Sequence, residues 1–148
     1  MKPYVVLGVY HPPFWKAWKV GEDLTEFTRG LGLKPLNDPV HGPQTWTPWF
    51  SMKHHAEVHK WHPGTHVAEG FHQDGDLIPN SIMNHAFVLW AQFTPTEFQY
   101  KNKIYQPKPF EVVMAKNLSC YHRRPSNAPE DRFFFHQCVE IPTHISLL

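Results

Sequence analysis

Only two cysteines, Cys120 and Cys138, occur in the 148 residues. A disulfide scaffold of this size normally carries more, so both sulfurs read as free thiols in a reducing, cytoplasmic setting. Long apolar runs are also lacking. The opening Tyr4-Val5-Val6-Leu7-Gly8-Val9-Tyr10 is too short to cross a bilayer and is followed by no small-residue cleavage site. A first strand is expected there, not a membrane span. Charge of one sign is missing too: 14 Lys and Arg stand against 13 Asp and Glu, a formal +1 with His neutral. No broad field therefore recruits nucleic acid or anionic lipid, although a local groove for a nucleobase is compatible with that balance. No repeat or low-complexity tract is visible.

Proline, aromatic residues and histidine are plentiful instead. The 15 prolines disfavour long helices and favour short strands joined by turns. Hydrophobic residues make up 41% and aromatics 15%, which suits a globular core. The length suits a single domain over 1–148. Residues 1–50 read as a preface: a strand over Pro3–Tyr10, a short helix over Asp23–Leu31 with Leu24, Phe27 and Leu31 on one face, and a loop over Pro35–Pro48. From 51 to 142 the texture is that of strands. They are expected over Ala56–Trp61, Thr65–Gln73, His85–Phe93, Glu97–Tyr105, Phe110–Met114, Asn117–His122 and Arg132–Ile141. The His85–Phe93 run is almost wholly apolar or aromatic, as in a strand buried on both faces. Strands at this spacing, punctuated by Pro and Gly, predict an all-β sandwich or jelly roll with a minor helix.

The chemistry sits in His72-Gln73-Asp74-Gly75, then His122, then Arg132. Residues two apart on a strand share a face, so His72 and Asp74 point the same way. His122 from another strand completes two imidazoles and one carboxylate on one side of a metal. That set leaves opposite positions open and suits non-haem Fe(II), which must take a co-substrate and O₂ together. A hairpin from His122 back to Arg132 would bring a guanidinium into the same pocket. There it can grip a carboxylate with two hydrogen bonds. With 12 His and 13 acidic residues a His-x-acid triplet is unremarkable alone, and His55-Ala56-Glu57 is a second. The latter precedes the Pro63-Gly64 turn and has no partner at a suitable distance, so it reads as a polar strand face.

Taken together, Trp61-His62-Pro63-Gly64, His72-Gln73-Asp74, His122 and Arg132 resemble the Fe(II)- and 2-oxoglutarate-dependent oxygenases. The prolyl-hydroxylase-like branch is most similar. The resemblance covers roughly residues 51–142 and rests on the order and spacing of the pieces. It implies a double-stranded β-helix, a cupin-like jelly roll whose two sheets enclose the iron. It implies His72, Asp74 and His122 as iron ligands and catalytic centre, and Arg132 as partner of the 2-oxoglutarate 5-carboxylate. The activity implied is a hydroxylase-type dioxygenase that couples 2-oxoglutarate decarboxylation to substrate oxidation by O₂. The branch often carries Tyr ahead of its Pro-Gly turn, where this chain has His62. A peptidyl or amino-acid substrate is favoured by the branch, and a nucleobase stays open.

Other residues bear on the pocket. Gln92 shares a strand face with Trp90 and is a candidate for the co-substrate wall. Arg124 is the alternative to Arg132 as the carboxylate clamp. Arg123 and Arg124 read either as a patch for an acidic or phosphate-bearing substrate or as solvated charges. The crowd of His54, His55, His59, His62 and His66 lacks a convincing tetrahedral set for zinc and reads as solvated or substrate-facing. Each proposed ligand has an ordinary competitor: a polar strand end for His72, a turn for Asp74, a basic surface cluster for His122. Two further functions compete: a cupin-like metal dioxygenase needing no 2-oxoglutarate, and a jelly-roll binding module without turnover. Oligomeric state is not legible.

Overall fold

The computed structural model describes residues 1–13, 17–38, 42–43, 47–51, 58–60, 71–73, 84–92, 95–123 and 132–148. In chain order the elements are β1 (Tyr4–Val9), α1 (Ala17–Gly30), β2 (Asn37–Asp38), β3 (Gly42–Pro43), β4 (Thr47–Ser51) and β5 (Val58–Lys60). There follow β6 (Ala86–Ala91), β7 (Glu97–Tyr100), β8 (Lys103–Tyr105), β9 (Glu111–Lys116), β10 (Tyr121–Arg123) and β11 (Arg132–Val139). The protein is mostly β-sheet with one α-helix among the described residues. The main sheet is antiparallel, in the order β1-β9-β6-β11-β4-β5. A second antiparallel sheet has the order β10-β7-β8, and β2 and β3 form a short pair. From β6 onward the chain alternates between the two larger sheets: β6 in the main one, β7 and β8 in the second, β9 back, β10 across, β11 back.

β6 explains the layering. Every one of its six positions is buried. Ala86, Val88 and Trp90 turn one way, to Val20 and Leu24 of α1, Val112 and Met114 of β9, and Phe135 and Val139 of β11. Phe87 and Leu89 turn the other way, to Phe98 of the second sheet, Val113 and Ala115 of β9, and Cys120. Helix, main sheet and second sheet thus form three layers, and β6 is the filling common to both interfaces. This is why its sequence shows no polar alternation.

The helix is longer than its sequence suggests, beginning at Ala17 instead of Asp23. Val20 and Leu24 are fully buried, and Phe27 and Leu31 pack beside them. It stops at a Schellman cap: the Leu33 amide donates to Thr28 O at 3.1 Å and the Gly32 amide to Arg29 O at 3.0 Å. Gly32 takes the required left-handed backbone, with φ +73°. Trp90 Nε1–H donates to Tyr10 O at 3.1 Å, and the Tyr10 hydroxyl donates to Asp23 Oδ2 at 2.6 Å. These bonds tie β6, the end of β1 and α1 together.

Three other expectations change. The run Glu97–Tyr105 is not one strand but the β7–β8 hairpin, with Tyr100 opposite Lys103. Lys101 and Asn102 both take positive φ, 49° and 65°, as a two-residue hairpin turn requires. β4 overlaps the stretch expected to be loop only at Thr47 and Pro48, runs on to Ser51, and pairs with both β11 and β5. The β10–β11 hairpin does not form. β10 lies between segment 71–73 and β7, while β11 lies between β4 and β6 in the other sheet. Each strand already has two neighbours, so neither offers an edge to the other. The expected strand Thr65–Gln73 lies outside the described residues except for its last three positions.

Candidate metal centre

His72 and His122 meet across the second sheet. The His72 amide donates to His122 O at 3.0 Å, and the His122 amide to His72 O at 2.9 Å. In this antiparallel pairing both imidazoles stand on the same side, with ring centroids 4.6 Å apart and planes at 56°. That side is the space between the sheets: the His122 ring lies 4.7 Å from Phe87 of β6 and 6.4 Å from Phe98 of β7. His122 is buried and His72 half-buried, so the pair opens from the interior toward its rim.

The spacing can be compared with what one metal ion demands. A metal–nitrogen bond of about 2.1 Å puts an imidazole centroid about 3.2 Å from the ion, so two rings at right angles around it stand ~4.5 Å apart. The 4.6 Å separation of the His72 and His122 centroids matches that distance. Asp74, His62 and Arg124 lie outside the described residues. Among the described residues no group of three His, Cys, Asp or Glu side chains is arranged to hold a metal ion.

Arg132 opens β11, where it pairs with Ser51. It belongs to the same alternate set of positions as Phe134, His136 and Cys138. His136 of that set has its ring 5.8 Å from Phe87, the ring that also meets His122. β11 therefore borders the layer that contains the histidine pair, although through the main sheet and not through a hairpin with β10. Gln92 comes one residue past the end of β6 and is half-buried. Its expected companion Trp90 turns to the helix side, where it packs with Tyr10 and Phe135, on the face of the sheet away from His122.

Three features escaped sequence reading. Phe87 and Phe98 form an aromatic wall to His122, and their rings stack with an interplanar angle of 3°. His136 joins the same layer, and its parity with Arg132 was the available signal. On the opposite side of the second sheet, the Arg123 guanidinium lies 4.2 Å from the centre of the Phe71 ring. Arg123 Nε also approaches Glu97 Oε1 at 3.5 Å. No protein-family model, curated protein or solved structure matches the chain. No helix among the described residues is long and apolar enough to cross a membrane.

Proposed function

We propose that this protein is an Fe(II)- and 2-oxoglutarate-dependent oxygenase built on a double-stranded β-helix. The observation that carries this is the His72–His122 pair: two histidines distant in the chain, at a spacing one metal ion can bridge, between two antiparallel sheets. The alternation of β6 to β11 between those sheets supports the jelly-roll topology. His72, Asp74 and His122 would hold the iron. When bound, the iron would supply the site at which 2-oxoglutarate and O₂ react.

The chain's own residues do the positioning. Phe87 and Phe98 exclude water from the inner side of His122 and limit how its ring can turn. Arg132 would take the 5-carboxylate of 2-oxoglutarate. It belongs to the same alternate set of β11 positions as His136, whose ring lies 5.8 Å from Phe87. Arg124 is the second candidate for that carboxylate, and His62 for the co-substrate wall; Gln92, whose candidacy rested on sharing a face with Trp90, is not kept for it. The oxidised substrate is proposed to be peptidyl or amino-acid in class, with a nucleobase as the alternative. The two free, buried thiols accord with a reducing compartment, proposed to be cytoplasmic.

The test is anaerobic reconstitution with Fe(II), then admission of O₂ and 2-oxoglutarate with a panel of candidate substrates. Substrate-stimulated succinate release is expected. Iron binding without succinate would favour a cupin-like dioxygenase that needs no 2-oxoglutarate. Absence of iron binding would favour a jelly-roll binding module.

A further inference from the structure

We infer that Arg123 is a positioning residue for this site, clamping the segment that carries His72 onto the strand that carries His122. The functional consequence rests on the metal reading above; the clamp itself does not. The bridge between His72 and His122 continues the antiparallel register in which Arg123 lies opposite Phe71 on one side and Glu97 on the other. His122 and Phe98 face inward, so Arg123 and Glu97, one position along, face outward. The guanidinium carbon sits over the Phe71 ring, 4.2 Å from its centre, and Nε stands 3.5 Å from Glu97 Oε1. One side chain thus joins three neighbouring strands in a row directly behind the histidine pair.

Such a clamp reinforces a short pairing: among the described residues, His72 joins β10 through one bridge with two backbone hydrogen bonds. Arg123 adds a side-chain contact to these two backbone bonds, one residue along from the histidines. A cation over the Phe71 ring holds the segment against β10, and the Glu97 carboxylate keeps the guanidinium in place. Arg123 is only partly exposed, with 29% of its side chain accessible, and Glu97 less so, at 19%. This partial burial reduces the solvent screening that makes most surface pairs weak. The arginine pair after His122 therefore divides: Arg123 is committed to the scaffold and is not a grip for acidic substrates.

Hydrogen exchange at the His72 and His122 amides reads the clamp without any metal. Arg123→Ala should speed exchange at both amides about tenfold, while the β6 and β9 amides keep their protection. Arg123→Lys should recover only part, since an ammonium keeps the charge but not the planar guanidinium. Phe71→Leu should speed exchange as Arg123→Ala does, which provides a second route if the alanine variant folds poorly. Co(II) binding followed by its visible absorption then reads the consequence. Arg123→Ala should weaken Co(II) about tenfold at unchanged melting temperature, with Arg123→Lys between. Unchanged exchange at His72 and His122 in both Arg123→Ala and Phe71→Leu would overturn the clamp. Faster exchange with unchanged Co(II) affinity would overturn its role in the site. If the wild type binds no Co(II), the metal reading fails and the clamp is decided by exchange alone.

Discussion

His72 and His122 exchange two backbone hydrogen bonds and hold their rings 4.6 Å apart, yet they differ in depth: His122 is 7% exposed and His72 is half-buried. The two should therefore respond differently to the same substitution. His122→Ala removes a buried ring packed against Phe87 and Phe98 and leaves a cavity, at a cost of about 2–4 kcal/mol. His72→Ala removes a ring near the rim and should cost about 1 kcal/mol or less. Metal binding should be lost in both. Denaturant unfolding of the two variants, beside Fe(II) or Co(II) titration, checks this. Equal destabilisation would mean the two rings pack alike.

Tyr10 and Asp23 give stability a pH dependence. The Tyr10 hydroxyl holds the Asp23 carboxyl below the usual carboxylate range, with Lys19 3.0 Å away adding to the effect. A carboxyl with a lowered folded value contributes its full stability above its unfolded value and loses it as pH falls through the folded one. Burial, and then the bond to Asp23, raise the Tyr10 hydroxyl above its ordinary range. That contribution is full below the unfolded tyrosine value near 10 and is lost as pH rises above it. Tyr10→Phe should cost about 1.5–3 kcal/mol at neutral pH, as expected for a hydrogen bond to a charged group. It should also flatten the acid limb. Unfolding free energies measured from pH 2 to 7 test the sign.

Much of the scaffold is legible in the sequence where burial is one-dimensional. The Ala86–Ala91 run announces a doubly covered strand, and β11 begins at Arg132 as expected. β4 is hidden by Pro48, which argues against an interior strand. In the structure Pro48 pairs with Phe135 of β11, while the pairing of β4 with β5 runs from Trp49 to Ser51. The hairpin from His122 to Arg132 misleads for another reason. Nearness in sequence favours adjacent strands, but the choice of sheet depends on partners supplied from elsewhere in the chain. The meeting of His72 and His122 was legible in residue types and spacing. Their aromatic wall was not, because Phe87 and Phe98 look like ordinary core until the two sheets are stacked.

Gly8 sits at an irregularity in β1, where the register shifts between Val6 and Gly8. A Cβ there would lie 2.8 Å from Cζ of Phe27 on α1. Gly8→Ala should therefore cost about 1–3 kcal/mol by pushing the ring outward. Shortening the ring side chain should relieve the clash, so Gly8→Ala in a Phe27→Leu background should cost less than in the wild type. A double-mutant cycle in unfolding free energy measures the coupling. Strict additivity would mean that the helix does not press on β1 at this point.

Arg132 should read the co-substrate. Arg132→Ala should raise the 2-oxoglutarate requirement at least tenfold while leaving Fe(II) affinity unchanged, because a two-pronged carboxylate contact is lost and no ligand is. Arg132→Lys should restore part of the loss, since a point charge keeps attraction without the fork. If Arg132→Ala leaves co-substrate binding unchanged, the clamp passes to Arg124.

The sequence predicts Cys120 and Cys138 to be reduced thiols. Neither sulfur is in a disulfide, and both are buried, at 2% and 4% exposure. Cys120 follows the short 3-10 turn Asn117–Ser119 and packs with Phe87, Phe98 and Ala115 between the sheets. Cys138 lies in β11 opposite Phe87 of β6. Neither thiol should react readily in the folded protein, because a buried thiol in apolar surroundings is poorly ionised and hard to reach. Thiol titration without reductant should find two sulfhydryls after denaturation and slow reaction of both before it. If iron binds at His72 and His122, Cys120, two residues from His122, becomes the sulfur most exposed to oxidants formed there. Aerobic incubation with Fe(II) and 2-oxoglutarate, followed by peptide mass analysis, should then show oxidation at Cys120 before Cys138. The reverse order would place the metal away from the histidine pair.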